Sequence, residues 1–158
     1  MFKINRKIEY ALVALKHMSQ VPEKTLTSAK EICDTYKMPF DPTSRVLQIM
    51  AQHGILKAEQ GAYGGYVIIK DLNKITLLEI SEMLSGPIKI ANCFHDNYLE
   101  CELTPYCNVI GPMINLNQKI SELFKNIPIR DLIESRNPSD RQIRAKYKIK
   151  QNPAALQA

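Results

Sequence analysis

The chain has 158 residues, a length typical of one domain, and 45% of its residues are hydrophobic, enough for an ordinary core. Its 21 Lys or Arg exceed its 16 Asp or Glu, and no apolar run approaches the roughly 18 residues of a membrane span. The N-terminus is basic, but its apolar residues recur at helical spacing around Glu9. We therefore expect a soluble, cytoplasmic protein with no membrane partner.

The charge is unevenly distributed along the chain. Residues 1–75 hold 11 basic against 7 acidic residues (+4), residues 76–135 hold 4 against 8 (−4), and residues 136–158 hold 6 against 1 (+5). A basic first half suits contact with a polyanion, and the basic tail can add nonspecific phosphate contacts or simply be a flexible, solvated terminus.

Three helices are predicted in the first third of the chain. The first covers about residues 5–19, and the second runs from Ala29 to Tyr36 with Thr27, Ser28 or both as its cap. The segment 38–42 interrupts the helical pattern, because residues before a proline avoid the helical region. Asp41 and Pro42 are expected as the N-cap and first-turn pair of a third helix that ends near His53.

The second and third helices have the pattern of a helix-turn-helix. Val46, Leu47, Ile49 and Met50 can face inward, which leaves polar side chains near the start and on the outside of the third helix. Ile55 to Glu59 and Tyr66 to Ile69 then form two β-prone runs around a glycine-rich turn, as in a hairpin wing. The fold class expected is mainly α with a small β-hairpin, a winged helix-turn-helix followed by a long C-terminal helix. The residues expected to contact DNA are Ser28, Thr43, Ser44, Arg45, Gln48, Gln60 and Tyr63.

The next segment supplies a fourth helix and a cysteine-rich loop. Thr76 and Glu79 have the spacing of a capping box, and Gly86 followed by Pro87 ends the helix before the loop. An amphipathic helix follows the loop, with an apolar stripe wide enough to need a partner surface. Covering the core is the alternative role of this helix. Dimerisation is favoured because a helix-turn-helix protein that reads two half-sites of DNA needs two copies. The residues expected at the dimer interface are Ile110, Met113, Ile114, Asn117, Ile120 and Phe124.

Cys93, Cys101 and Cys107 are candidate metal or cluster ligands. Thiols in a reducing compartment more often bind metal or do redox chemistry than form disulfides, and zinc usually shows tighter paired spacing. His95 is a further possible donor, whereas Cys33 is expected to be a small buried side chain. A thiol redox enzyme is disfavoured because the chain has no CxxC motif, dinucleotide fingerprint or triad-like constellation.

Residues 1 to about 134 resemble the bacterial iron–sulfur-dependent regulators of the IscR, NsrR and RirA type. The matching stretches are IEYALVAL, KEICDTYKMPFDPTSRVLQIMAQHGIL, GAYGGY and ITLLEISEMLSGPIKIANC, together with the two later cysteines. The resemblance implies a homodimer that binds a double-stranded DNA operator and an iron–sulfur cluster, with two irons or four, on three cysteines.

The chain departs from the family pattern at three places. Gln60 stands where members often carry an arginine, and Ile110 stands where the IscR type has a histidine. The seven residues between Cys93 and Cys101 resemble the longer RirA interval. By similarity to NsrR-type members, Glu9 is the candidate fourth ligand, supplied by the partner subunit, the alternative being an ordinary first-turn charge.

The expected organisation is a DNA-binding region at 1–75, a cluster loop and dimerisation helix at 76–135, and a flexible basic tail at 136–158. The expected function is transcriptional regulation, as a repressor without enzymatic activity, controlled by a cluster that responds to nitric oxide, iron or redox state. The alternative is a cluster-free regulator of the same fold that responds to thiol chemistry or a small molecule.

Overall fold

The computed structural model describes residues 3–22, 24–61, 64–91, 101–134 and 146. Nearly all of the predicted tail, residues 136–158, lies outside this part. Six helices are described: α1 (Arg6–Ser19), α2 (Ala29–Tyr36), α3 (Phe40–Gln52), α4 (Leu77–Ser85), α5 (Ile110–Lys125) and α6 (Ile129–Glu134). Two strands, β1 (Leu56–Glu59) and β2 (Gly65–Ile68), form an antiparallel hairpin between α3 and α4. The prediction of a mainly α, winged helix-turn-helix fold is confirmed.

Side-chain caps fix the starts of α1, α2 and α4. Asn5 accepts a hydrogen bond from the backbone N–H of Lys7 at the start of α1. Thr76 and Glu79 form the reciprocal capping box of α4, which satisfies two backbone donors that the helix leaves free.

Ser28 alone caps α2, by accepting from Glu31 N–H at 3.1 Å. Thr27 instead pairs its backbone with Tyr66, at 3.0 and 2.9 Å, and so ties the start of α2 to the hairpin.

The start of α3 corrects the predicted N-cap. The helix begins at Phe40 with Pro39 as its N-cap residue, so Asp41 and Pro42 lie inside the first turn. Pro42 is tolerated there because the first backbone N–H groups of a helix have no intrahelical partner.

The hydrophobic core joins the two halves of the chain. α1 packs against α3, α4 and α6, and α4 packs against α5. Leu15, Leu47, Ile80 and Ile129 are fully buried in this one cluster. None of the helices in the described ranges is long and apolar enough to span a bilayer.

Candidate functional site

The α2–α3 hairpin turns through a left-handed residue that is not glycine. Lys37 has φ 55° and ψ 42°, and its N–H donates to the carbonyl of Cys33. Cys33 is buried as expected, and its Sγ lies 3.8 Å from the carbonyl oxygen of Pro39. The thiol therefore packs inside the hairpin, between the end of α2 and the start of α3.

A buried histidine joins this hairpin to α1. His17 is 3% exposed, with its Nδ1 3.2 Å from the hydroxyl of Tyr36 and its Nε2 3.0 Å from a carboxylate oxygen of Glu31. The rings of His17 and Tyr36 meet edge to face, with centroids 5.5 Å apart. Both partners belong to α2, so the polar contacts fix how α2 lies against α1. The sequence predicted only that His17 lies in a helix. Its hydrogen-bond partners could not be predicted, because they are 14 and 19 residues away.

The exposed face of α3 differs from the predicted one. Arg45 and Gln48 are exposed and Ser44 is half-buried. Thr43 is fully buried, and its hydroxyl donates to the carbonyl of Pro39 at 2.7 Å. Thr43 therefore stabilises the first turn of the helix, and we leave it out of the proposed interface.

Two exposed side chains complete the stripe that contains Arg45 and Gln48. Asp41 precedes Arg45 by four residues, and Gln52 follows Gln48 by four, so all four lie along one side of α3 and all are exposed. Sequence reasoning missed Asp41 because it was assigned to the cap. The spacing of four, three and four residues between these polar side chains already indicates that they share one side of a helix.

The wing is held close to α2 at its base. Tyr66 and Thr27 exchange backbone hydrogen bonds beside Gly65, where an added Cβ would lie 2.8 Å from the carbonyl oxygen of Thr27. Burial raises the pKa of Tyr66. Gln60 is exposed after β1, whereas Tyr63 lies outside the described residues.

Two of the three candidate cysteine ligands are described. Cys101 and Cys107 are free and half-buried on either side of a 3₁₀ turn at Thr104–Tyr106. Thr104 N–H donates to the carbonyl of Cys101 at 3.0 Å, which folds the chain between the two thiols. Cys93 and His95 fall outside the described residues. In the described part of the chain, no three His, Cys, Asp or Glu residues form a metal-binding group.

Glu9 lies in the first turn of α1. Its carboxylate is 3.5 Å from the guanidinium of Arg6, and both side chains are substantially exposed. The carboxylate is therefore accessible at the surface of the protomer.

The predicted dimerisation residues share one stripe of α5 but differ in their burial. Phe124 is buried in the core of its own protomer, Ile120 packs against that core, and Asn117 accepts a hydrogen bond from the Ile90 N–H at 3.1 Å. Ile110 and Met113 are half-buried, and Ile114 is 36% exposed. Large apolar side chains are exposed on and just before α5, at Leu103, Tyr106, Val109, Ile114, Leu116 and Leu123. Val109, Leu116 and Leu123 recur every seven residues and share one side of the helix, whereas Ile114 lies on another side. We name Leu103, Tyr106, Val109, Leu116 and Leu123 the outer α5 surface.

Comparisons with known proteins agree with this architecture. Residues 4–135 match the model of the Rrf2 family, described as an iron-dependent transcriptional regulator. The HTH-type transcriptional regulator NsrR of Shouchella clausii is 21% identical over 125 residues, which cover 79% of this chain and 84% of that protein.

Solved structures show the same fold. CymR (YrzC), the global cysteine regulator of B. subtilis, matches with a TM-score of 0.65 and 24% identity over 87% of this chain and 100% of that one. IscR of T. potens matches with a TM-score of 0.59 and 19% identity over 88% of this chain and 91% of that one.

Proposed function

The chain belongs to the Rrf2 family of transcriptional regulators, and from this premise we propose a homodimeric repressor whose operator binding is controlled by an iron–sulfur cluster. Members of this family are regulators rather than enzymes, and they bind DNA through the winged helix. The observation that carries the cluster proposal is the pair of free, half-buried thiols, Cys101 and Cys107, placed directly before α5.

The reader helix of this proposal is α3. In helix-turn-helix proteins the second helix lies in the major groove, and its N-terminal residues contact base edges. Arg45 is exposed near that end of α3, and a guanidinium can donate two hydrogen bonds to guanine O6 and N7. Ser44 and Gln48 flank it, Ser28 lies at the N-terminus of α2, and Gln60 begins the wing turn. Tyr63 is retained as a wing contact on sequence grounds.

Arg45→Ala tests this reader role. We expect a loss of about 1–3 kcal/mol on operator DNA and a much smaller loss on random DNA, measured by fluorescence anisotropy. Arg130→Ala, which removes one cation from α6, is the matched control. Equal affinity of wild-type protein and Arg45→Ala for the operator would remove Arg45 from the interface.

Dimerisation is proposed through the outer α5 surface. An exposed apolar face of this kind is unfavourable in water, and two copies related by a two-fold axis bury it against itself. A dimer also matches the two half-sites that helix-turn-helix proteins read. Of the residues predicted from sequence, Ile114 is exposed on another side of α5, Ile110 and Met113 are half-buried, and Asn117, Ile120 and Phe124 support α5 from the inside.

The donor chemistry of the loop fits an iron–sulfur cluster. Thiolates are the usual ligands of such clusters, and we propose Cys93, Cys101 and Cys107 as ligands, with Glu9 of the partner subunit as the fourth. Four irons are slightly favoured over two. When bound, the cluster supplies iron that nitric oxide, oxidants or chelators can attack, and Glu9 would be its more labile, oxygen-donor ligand.

α1 offers a physical link between the loop and the reader helices. Glu9 and His17 are eight residues apart on α1, or about 12 Å along a stiff helix. A force on Glu9 would therefore act on α2 through the contacts of His17 with Glu31 and Tyr36. Regulation requires only that the two states of the loop differ in DNA affinity.

Anaerobic purification with iron and sulfide assays tests the cluster. We expect brown protein with near-stoichiometric iron and sulfide, and loss of both in Cys107→Ala. Cys33→Ala is the matched control, because Cys33 is a buried thiol in the helix hairpin and should leave the iron content unchanged. Iron-free wild-type protein that resists reconstitution would contradict the cluster and leave the regulator assignment intact.

Iron-free wild-type protein would favour a cluster-free, thiol-responsive regulator. Cys101 and Cys107 are free and partly accessible, which a direct thiol switch also requires. In this case oxidation of the colourless protein, followed by mass spectrometry and DNA titration, should change both the thiol count and the affinity.

A further inference from the structure

The exposed stripe of α3, formed by Asp41, Arg45, Gln48 and Gln52, contains an acidic side chain whose presence at a DNA-binding surface calls for a physical explanation. Asp41 and Arg45 are the ionised residues of α3, so the helix has no net charge. A carboxylate facing DNA is repelled by phosphates on every sequence. Asp41 therefore reduces affinity unless a base supplies a compensating donor.

The local structure shows no capping or ion-pairing role for Asp41 within the described residues. Asp41 is not the N-cap of α3, because that position is Pro39. Within the described residues its carboxylate forms no hydrogen bond or ion pair, and it is exposed. The general preference for an acidic residue in a first turn is worth about 0.3–1 kcal/mol and does not depend on the neighbouring DNA.

The major groove offers this carboxylate one well-matched partner. Guanine and thymine present acceptor oxygens to the groove, which repel a carboxylate, whereas cytosine presents the N4 amino donor. Adenine also has an amino group, but its adjacent N7 is an acceptor that Asp41 cannot satisfy. A carboxylate is thus selective for cytosine.

We propose that Asp41 is a specificity-determining residue of the reader helix, whose carboxylate accepts a hydrogen bond from a cytosine amino group in the operator. The inference rests on the proposed function, since it requires α3 to enter the major groove. Asp41 lies one helical turn before Arg45 on the same stripe, so the two side chains read neighbouring positions of one half-site.

Selection from random-sequence DNA, with the full chain under anaerobic conditions, tests the inference. Wild-type protein should select a two-fold site with a cytosine at one position of each half-site. Asp41→Asn should change the preference there to adenine, because an amide pairs with both N6 and N7, and Asp41→Ala should accept any base. Asp131→Asn is the matched control, since Asp131 is an exposed carboxylate in the first turn of α6.

Titration of the protein with the selected DNA, and with DNA changed at the cytosine position, measures the size of the preference for cytosine. Wild-type protein should prefer cytosine at this position by about tenfold, a ratio that Asp41→Ala reduces to about one. Both DNAs are titrated with the same protein sample, so any effect of the substitution on folding cancels in the ratio. Nonspecific affinity should rise about twofold at low salt in both Asp41 variants, because a repulsive charge is gone.

The outcomes separate the inference from the function on which it rests. If wild-type protein selects a consensus and Asp41→Asn and Asp41→Ala select the same consensus, Asp41 does not read a base and the inference is overturned. If wild-type protein selects no consensus, the proposed DNA-reading function fails and the inference fails with it.

Discussion

A side chain at Gly86 should destabilise the protein, although there is space for one. It has φ 80° and ψ −179°, and its N–H donates to the carbonyl of Glu82 at 2.9 Å, which ends α4. An added Cβ would meet no atom within 4 Å, so the cost of Gly86→Ala comes from the backbone alone. This backbone region is almost exclusive to glycine, at about 1–3 kcal/mol for other residues. Reduced entropy of the unfolded chain returns about 0.4–1 kcal/mol, which leaves a net destabilisation of about 1–2 kcal/mol.

Chemical and thermal unfolding of metal-free protein measure this cost, with all variants at the same concentration. The expected loss corresponds to a fall in Tm of about 3–6 °C for a chain of this length. Gly111→Ala is the control, because Gly111 also has nothing within 4 Å of an added Cβ but lies in the first turn of α5, without a positive φ. That variant should be equal to wild type or up to about 1 kcal/mol more stable. Equal stabilities of the two variants would refute the argument from backbone conformation.

Three further changes test other parts of the structure. Tyr36→Phe removes the hydroxyl that contacts His17 while keeping the ring, and should lower the free energy of unfolding by about 1 kcal/mol in urea titrations. Leu123→Lys places a charge on the outer α5 surface and should shift the dimer toward monomer in sedimentation velocity, and an unchanged sedimentation coefficient would exclude that face. Hydrogen bonds from Asn73 lower the pKa of Asp71, so its contribution to stability is present above the unfolded pKa and lost as pH falls through the folded one. The stability difference between wild type and Asp71→Ala should therefore vanish in acid, and a difference that persists there would contradict this cause.

Local sequence signals predicted most of the helix boundaries. The second helix was predicted at its observed limits, and the capping box at Thr76 was predicted because both partners are within four residues of each other. The cap of α3 failed for a related reason, since Asp41 followed by Pro42 also satisfies a local rule. Helix α3 instead begins at Phe40, where Pro39 is already extended and the hydroxyl of Thr43 donates back to its carbonyl.

Contacts between distant segments could not be predicted in this way. α6 was not predicted as a separate helix, and it is positioned by Ile129 N–H donating to the carbonyl of Ile75 at 2.8 Å, across more than fifty residues of chain. The anchoring of α2 by His17 has the same character. Hydrophobic periodicity indicates that a face is buried, but it does not name the element that buries it.

The α5 helix shows why the predicted dimerisation residues include both buried and exposed side chains. A narrow apolar stripe gives a clear prediction of the buried side of a helix, whereas the apolar residues of α5 cover about half of its circumference. The middle of this stripe packs toward the core and buries Phe124, whereas one edge of the stripe leaves Leu116 and Leu123 exposed at 46% and 58%. Because every apolar side chain satisfies the same sequence pattern, only the position of α4 separates supporting residues from surface residues. A dimer interface is therefore best chosen by exposure in the folded protomer, which replaces Phe124 by Leu123 in the proposed contact.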